Sequence, residues 1–361
     1  MIRVLFVLLL SISSAQAMDF SPAKPLPAVT LGSDQLVNRI AFGSCFDQAL
    51  KDDVFDTVTS TAADAFMFIG DNVYAEDESD DPNLQSLKNA YGLLAESDAF
   101  ERLRNSMPLL VTWDDHDYGI NDGGANWPQR EASEALYEYV WVPKADQRRH
   151  QPGIYYERTV GPEGRRVQLI LLDTRFFRSN IERSKTPVPN GRYQQHMGNN
   201  EMLGEQQWQW LESKLKQPAD IRIIASSLQM IATGHAWEAW HVMPDERTRF
   251  FNLLTDIKPN GVVLISGDRH SAAIYRQADR VPYPLWEVTS SSLNKPLSAM
   301  IRNIKTEPGQ YRQGQPFYDA NFGIIDIDWA NQNLLLQVRD DEDRVVRAAT
   351  IKFSELEAGK E

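Results

Sequence analysis

The chain has 361 residues, a formal net charge of −13, and a composition that is 42% hydrophobic with nine Trp, enough for a sizeable core in one large domain or two ordinary ones. The acidic balance excludes duplex nucleic acid and anionic membrane surfaces as partners, since both need clustered Lys and Arg. A small anionic substrate stays open, because a bound cation overrides the global field locally.

Residues 1–17 carry one positive charge at Arg3, the apolar run "VLFVLLLSI" and the small-residue end Ala15-Gln16-Ala17. This is the pattern of a cleaved signal peptide, and it predicts a periplasmic or secreted protein. No later stretch approaches the roughly 20 continuous apolar residues of a membrane span. Residues 18–36 are Pro-rich and read as an extended leader.

"VNRIAFGSC" (37–45) and "DAFMFIGD" (64–71) are apolar runs of strand length closed by turn residues. A stretch with helical spacing of Leu84, Leu87, Tyr91 and Leu94 follows, and then a third buried strand, "MPLLVTWDDHD" (107–117). The same alternation continues through "RRVQLILLDTR" (165–175), a helix with Trp208, Leu211 and Leu215 on one face, and "IRIIASSLQM" (221–230). A helix over 245–257 and the strand "GVVLISGDRH" (261–270) complete it. The long loop at 184–202 is placed to overhang the strand ends, and residues 322–353 alternate around polar turns as antiparallel hairpins, which suggests a second, mixed sheet. Buried strands alternating with helices predict an α/β fold with its ligands at the carboxyl ends of the strands.

Those ends carry the chemistry: Cys45, the single cysteine; Asp71, Asn72 and Tyr74 in "GDNVY"; Asp114, Asp115, His116 and Asp117 in "WDDHD"; Asp268 and His270 in "GDRH". Each motif alone is weak, since Gly-Asp after a strand is often only a turn. Carboxylates converging at a partly buried rim must protonate, separate or bind cations, and the motifs hold little basic charge besides Arg269. Thiolate, phenol and imidazole donors select iron or zinc, whereas an all-oxygen subset selects calcium, magnesium or manganese. The mixture points to two or more metals, an arrangement suited to clamping a phosphoryl group.

In this order, Gly-Ser-Cys, Gly-Asp-x-x-Tyr, Trp-Asp-Asp-His-Asp, Leu-Asp-Thr-Arg and Gly-Asp-x-His, the residues resemble the alkaline phosphatase D (PhoD-like) branch of the metallophosphoesterases. The resemblance implies a four-layer α/β/β/α sandwich of two mixed sheets packed face to face with helices outside. The resemblance runs from about "RIAFGSC" (39–45) to "SGDRHSA" (266–272), and a single catalytic domain of this kind is expected over 37–355, followed by a polar tail at 356–361. It implies Fe3+ held by Cys45, Asp71, Tyr74 and His270, with Asp71 bridging to a Ca2+ held also by Asp115 and Asp268; Zn2+ or Mn2+ are the alternatives. His116 falls beside the phosphate, and with Asp115 and Asn72 makes the expected catalytic set, Asn72 and Asp114 being also plausible supports for the ligands. Arg175 is read first as an ion pair near Asp173.

The function so implied is an exported phosphoric-ester hydrolase in which a metal-bound hydroxide attacks phosphorus. Monoester, diester and phospholipase D-like action share this machinery and stay open, as does a small phosphorylated substrate or a phospholipid head group. Two rivals are a thiol hydrolase with Cys45 as nucleophile and a non-catalytic exported metal-binding module. His150, His196 and His241 read as solvated or structural, and His235 is open between a rim role and a structural one. Trp208, Trp210, Trp237 and Trp240 read as core, and the acidic run at 76–81 as a solvated loop or a weak peripheral calcium site.

Overall fold

A computed structural model describes residues 19–75 and 81–359. The expected signal peptide at 1–17, and the acidic run except Asp81, lie outside the described residues. Regular structure starts with β1 (Arg39–Gly43), α1 (Val54–Ser60), β2 (Ala65–Ile69), α2 (Gln85–Leu94), α3 (Asp98–Ser106) and β3 (Leu109–Thr112). A single helical turn α4 (Asp115–Tyr118) and α5 (Arg130–Trp141) lead into β4 (Tyr156–Val160), β5 (Val167–Leu171) and α6 (Gly204–Leu215). Then come β6 (Ile221–Ser226), α7 (Pro244–Ile257), β7 (Val262–Ser266), β8 (Ala272–Gln277), β9 (Leu285–Ser290) and the short α8 (Leu297–Met300). The chain closes with β10 (Arg312–Phe317), β11 (Asn321–Asp328), β12 (Asn333–Asp340) and β13 (Val345–Lys352).

The stretch after Leu84 is two helices rather than one. Ser97, extended and outside both, accepts the Phe100 amide at 3.0 Å and so starts α3 afresh. Leu87, Tyr91 and Leu94 are buried on α2, as their spacing requires.

Two mixed sheets form, ordered β13-β12-β11-β1-β2-β3 and β10-β8-β9-β7-β6-β5-β4. β1, β2 and β3 are parallel, as are β5, β6, β7 and β9. The late hairpins do not make a sheet of their own. β11 pairs antiparallel with β1, Arg39 opposite Asp326, and extends the first sheet, while the second is built from the middle of the chain. The reason is the exposed edge: without β11, the buried strand β1 would present unpaired backbone groups.

Side chains alternate across each strand, and this sets the layers. Ile40, Phe42, Met67 and Ile69 join Leu169, Ile223 and Val263 in the core between the sheets. The intervening Ala41, Phe66 and Phe68 pack on Phe55, Tyr91, Phe100 and Leu136 of the outer helices. The result is the α/β/β/α sandwich. The segment 19–36 lies against it, with Phe20 stacked on Tyr139 at 4.8 Å and Leu26 buried. At the other end Leu356 is buried too.

The carboxyl ends of both parallel sets meet at one edge. The Cys45 amide donates to the Gly70 carbonyl at 3.3 Å, the Thr112 hydroxyl to the Leu172 carbonyl at 2.9 Å, and the Gly267 amide to the Ser227 carbonyl at 2.9 Å. Gly70 has φ +106°, and a Cβ there would lie 2.7 Å from the Asp114 Cβ. Gly70→Ala should therefore destabilise the fold by about 2–4 kcal/mol in thermal or denaturant unfolding, through both conformation and overlap. Gly164 has φ +79° with nothing within 4 Å of an added methyl, so Gly164→Ala should cost only about 1 kcal/mol. Equal losses would show that the crowding at Gly70 carries no weight.

Candidate metal centre

Four of the strand-end residues leave their strands through the left-handed region: Cys45 (φ 56°), Asp71 (50°), Asp268 (67°) and His270 (49°). Asp and His tolerate this better than most side chains, but each such residue still costs on the order of 1 kcal/mol or more. The turn takes the side chain off the strand line and into the gap between the two sheet ends.

Asp71 is at the centre of that gap. Its Oδ2 accepts from the Cys45 Sγ at 3.3 Å and from the Tyr74 hydroxyl at 2.9 Å, and the same hydroxyl is 3.5 Å from His270 Nε2. Its Oδ1 accepts the His116 amide at 3.3 Å. Ligating atoms lie within 4.8 Å of one another in four adjoining sets: Cys45, Asp71 and His270; Asp71, Asp115 and His116; Asp114, Asp115 and Asp268; and Asp115, Asp122 and Glu238. Of the residues expected from sequence, Cys45, Asp71, Tyr74, Asp115, His116, Asp268 and His270 are thus brought together. Asn72 is not. Its amide is buried and spent on the Thr112 carbonyl at 2.7 Å and the Asp117 carboxylate at 2.6 Å, which leaves it a support rather than a group facing substrate.

Burial dominates the electrostatics. It pushes Asp71 up to about 6 with help from Asp115, and Asp114 up to about 7 although Arg175 pulls it down. Asp268 is driven well up by burial and then Asp114. Burial also raises Asp115, but His116 and Arg175 overcome it and hold that carboxyl below the usual range. The Cys45 thiol and Tyr74 phenol are pushed well up by burial and then by Asp71, while burial pushes His270 down to about 4. His116 behaves oppositely, since Asp115 and Asp71 outweigh its burial and raise it. Protons on sulfur and phenol stand between these groups where a cation would serve all of them at once. Two buried acceptors, Asp114 Oδ2 and Asp115 Oδ1, have no hydrogen-bond partner. Orphaned oxygens beside a thiol, a phenol, an imidazole and further carboxylates fit metal ions of two characters, and a cation would deprotonate the thiol.

Several groups that hold the site have tasks that reading the motifs did not assign to them. Asp117 accepts the backbone amides of Asp114 at 2.6 Å, Asp71 at 3.1 Å and Asn72 at 3.3 Å, so one carboxylate ties two strand ends together. Arg175 does not pair with the Asp173 side chain. Its guanidinium binds Asp114, with Nε at 2.7 Å, and Glu238 at 2.8 Å, while Asp173 accepts backbone amides of Ile154, Arg175 and Phe176. Lys295, in the turn after β9, places its ammonium 3.5 Å from the Tyr74 ring centroid and gives its carbonyl to His270 Nδ1 at 2.6 Å. The scarcity of basic residues within the motifs is therefore not scarcity at the site, yet Arg175 and Arg178 are spent on Asp114 and Glu238. The strand-end pattern that picked out Asp71 would also have picked out "SSSLNKP" after β9.

A cavity of about 450 Å³ opens onto Asp71, Asp115, His116, Asp268 and His270. The long loop contributes Asn190 and Arg192 to its wall. Trp237 lines it as well and is 36% exposed, contrary to the core role expected from spacing; its segment is not helical, so periodicity there has no meaning. Trp208 and Trp240 are buried. His235 is buried away from the cavity, bonded to Gln229 at 2.9 Å and packed on His241.

The PhoD-like phosphatase family matches residues 40–337. Alkaline phosphatase D of Bacillus subtilis (strain 168) is 22% identical over 222 residues, which cover 56% of this chain and 37% of that protein. The match thus spans well under half of that relative's length. A solved structure of PhoD aligns with a TM-score of 0.68 at 16% identity, covering 90% of this chain and 70% of that one. A dimetal phosphatase from Danio rerio aligns with a TM-score of 0.52 at 14% identity, covering 88% and 100%. At these identities the structural likenesses speak for the fold alone.

The Asp117 network generates a direct expectation. Asp117→Asn replaces an acceptor oxygen with a donor facing backbone amides, and should weaken metal retention about 10-fold or more while secondary structure persists. Elemental analysis after dialysis, beside circular dichroism, reads this. Unchanged retention would mean that the strand ends hold their positions without Asp117.

Proposed function

The chain belongs to the PhoD-like phosphatase family, and we propose that it is a metal-dependent hydrolase of phosphoric esters centred on Asp71. The observation that carries this is the sharing of Asp71 between a thiol-phenol-imidazole set and a second set with Asp115 and His116, which Asp115 links on to Asp114 and Asp268, at the base of a cavity open to a small molecule. We assign Fe3+ to Cys45, Asp71, Tyr74 and His270, and Ca2+ to Asp71, Asp115 and Asp268. When bound, the cations would neutralise the charge of the ester and supply an activated water for attack on phosphorus.

The chain's own residues then have separate tasks. Asp71 and Asp115 position the two ion sites relative to each other. His116, whose pKa is raised by Asp115 and Asp71 against its burial, faces the cavity and can donate a hydrogen bond to a phosphoryl or leaving-group oxygen. The Lys295 carbonyl fixes the His270 ring so that Nε2 points to the ion site. Cys45 is ill suited to the rival role of nucleophile: it is fully buried, and its thiol is turned onto Asp71.

Export is part of the proposal and rests on the pattern at residues 1–17. Among the described residues no helix is long and apolar enough to cross a membrane. N-terminal sequencing of the mature protein should begin at Met18, and an intact Met1 terminus on exported material would refute the cleavage.

Exhaustive chelation should abolish hydrolysis of aryl phosphate monoesters and diesters by purified protein, and added metal should restore it. Activity that survives chelation would overturn the metal mechanism. Elemental analysis and the visible spectrum test the ions: Tyr74 or Cys45 on Fe3+ should give a coloured charge-transfer band. A colourless, iron-free but active protein would replace Fe3+ with Zn2+ or Mn2+.

A further inference from the structure

The cavity has two chemically different halves. At its base are the carboxylates and imidazoles. Its outer wall carries an apolar strip, made by Trp237 from one loop and by Leu297, Ile301 and Ile304 from the segment after β9, with the polar Asn303, Lys305 and Glu307 of that same segment beside it. Among the described residues only eight large apolar side chains are exposed, and two of them line this cavity: Trp237 (36%) and Ile301 (48%). Such a concentration beside a polar site is what a binding surface for an apolar group requires.

The wall is built into the site. The Leu297 amide donates to the carbonyl of His270 at 2.8 Å, the Ile301 amide to Leu297 at 2.9 Å and the Ser298 amide to Tyr318 at 3.1 Å. The far end of the same segment rests on Gly234, where an added Cβ would lie 1.5 Å from the Pro308 carbonyl oxygen. Trp237 is flanked by the guanidiniums of Arg192 and Arg269, 5.3 and 6.0 Å from the ring centroid. Both arginines are already paired, Arg192 with Asp122 and Arg269 with Glu307 at 2.5 Å, so the wall does not present them as free sites for a second anion. The volume of about 450 Å³ is far more than a phosphoryl group fills, given that one water's share of the liquid is about 30 Å³.

We propose that the wall of Trp237, Leu297, Ile301 and Ile304 is a leaving-group subsite, which selects phosphoric esters whose alcohol carries an apolar group, alkyl or aromatic. This rests on the phosphoester reading of the base of the cavity and adds the class of substrate to it. The phosphoryl group lies at the Asp71 end and the ester oxygen points outward, so the organic part meets Trp237 and Ile301. Transfer of each methylene from water to the wall should favour binding roughly threefold until the chain outgrows the cavity.

The test uses metal-loaded protein and methyl, butyl and hexyl phosphate, whose leaving alcohols differ little in chemistry. The kcat/KM should rise at least about tenfold from methyl to hexyl phosphate. Trp237→Ala and Ile301→Ser should collapse that ratio toward one, and Leu93→Ser, an exposed apolar residue on α2, should leave it unchanged. Calorimetric binding of methylphosphonate, hexylphosphonate and phenylphosphonate reads the wall without turnover, and the tighter of the last two identifies an alkyl or an aromatic occupant. Turnover with a flat series, or phosphonates that bind equally, would overturn the subsite and leave the hydrolase reading standing. Graded phosphonate binding with no turnover of any ester would do the reverse.

Discussion

The placement of several carboxylates where water cannot fully reach them is the constraint on which the rest of the molecule depends. Asp71, Asp114 and Asp115 are buried, with Asp115 within reach of Asp71 on one side and of Asp114 and Asp268 on the other. Left alone, such a group must take up protons, as the upward displacement of Asp71, Asp114 and Asp268 by burial and mutual repulsion expresses. The protein answers part of this charge itself, because Arg175 is driven into the interior against Asp114. It leaves part of the remainder unanswered beside Asp71, where Asp114 Oδ2 and Asp115 Oδ1 have no hydrogen-bond partner, and that residual imbalance is what bound cations would relieve.

Holding the imbalance requires rigidity, and the fold supplies it from two sides. Parallel strands of both sheets deliver their ends to one edge, and the backbone there is crowded enough that Gly70 and Gly267 have no room for a methyl. Cys45, Asp71, Asp268 and His270 all turn through an unfavourable backbone conformation. Asp117, accepting the amides of Asp71, Asn72 and Asp114, opposes the tendency of the turn at Asp71 to relax. The late hairpins serve the same end indirectly, since β11 closes the edge of β1 and keeps the strand that leads to Cys45 in the interior.

Local pattern revealed what depends on local pattern. Buried runs such as "AFMFI" and "VVLIS" announce strands covered on both faces, and polar residues just past them mark the ligand edge, so Cys45, Asp71, Asp115, Asp268 and His270 could be gathered without coordinates. Pairings that cross long stretches of chain could not. Arg175 finds Asp114 rather than its near neighbour Asp173, because the Asp173 carboxylate is already occupied by backbone amides. Asn72 sits among ligands in sequence yet faces inward, since its amide is needed by Thr112 and Asp117. Trp237 has the local spacing of core residues but lies on an irregular loop at the mouth of the cavity.

The amino-acid sequence by itself determined the α/β class, the edge of the sheets that carries the chemistry and the donor types available there, because these follow from hydrophobic periodicity and from residues adjacent to strands. Only the tertiary structure decided which hairpin closes which sheet, which cation neutralises which carboxylate, and that an apolar wall stands over a polar base. Those outcomes depend on contacts between residues tens to hundreds of positions apart, and burial, which sets their energy, exists only once the two sheets have closed on each other.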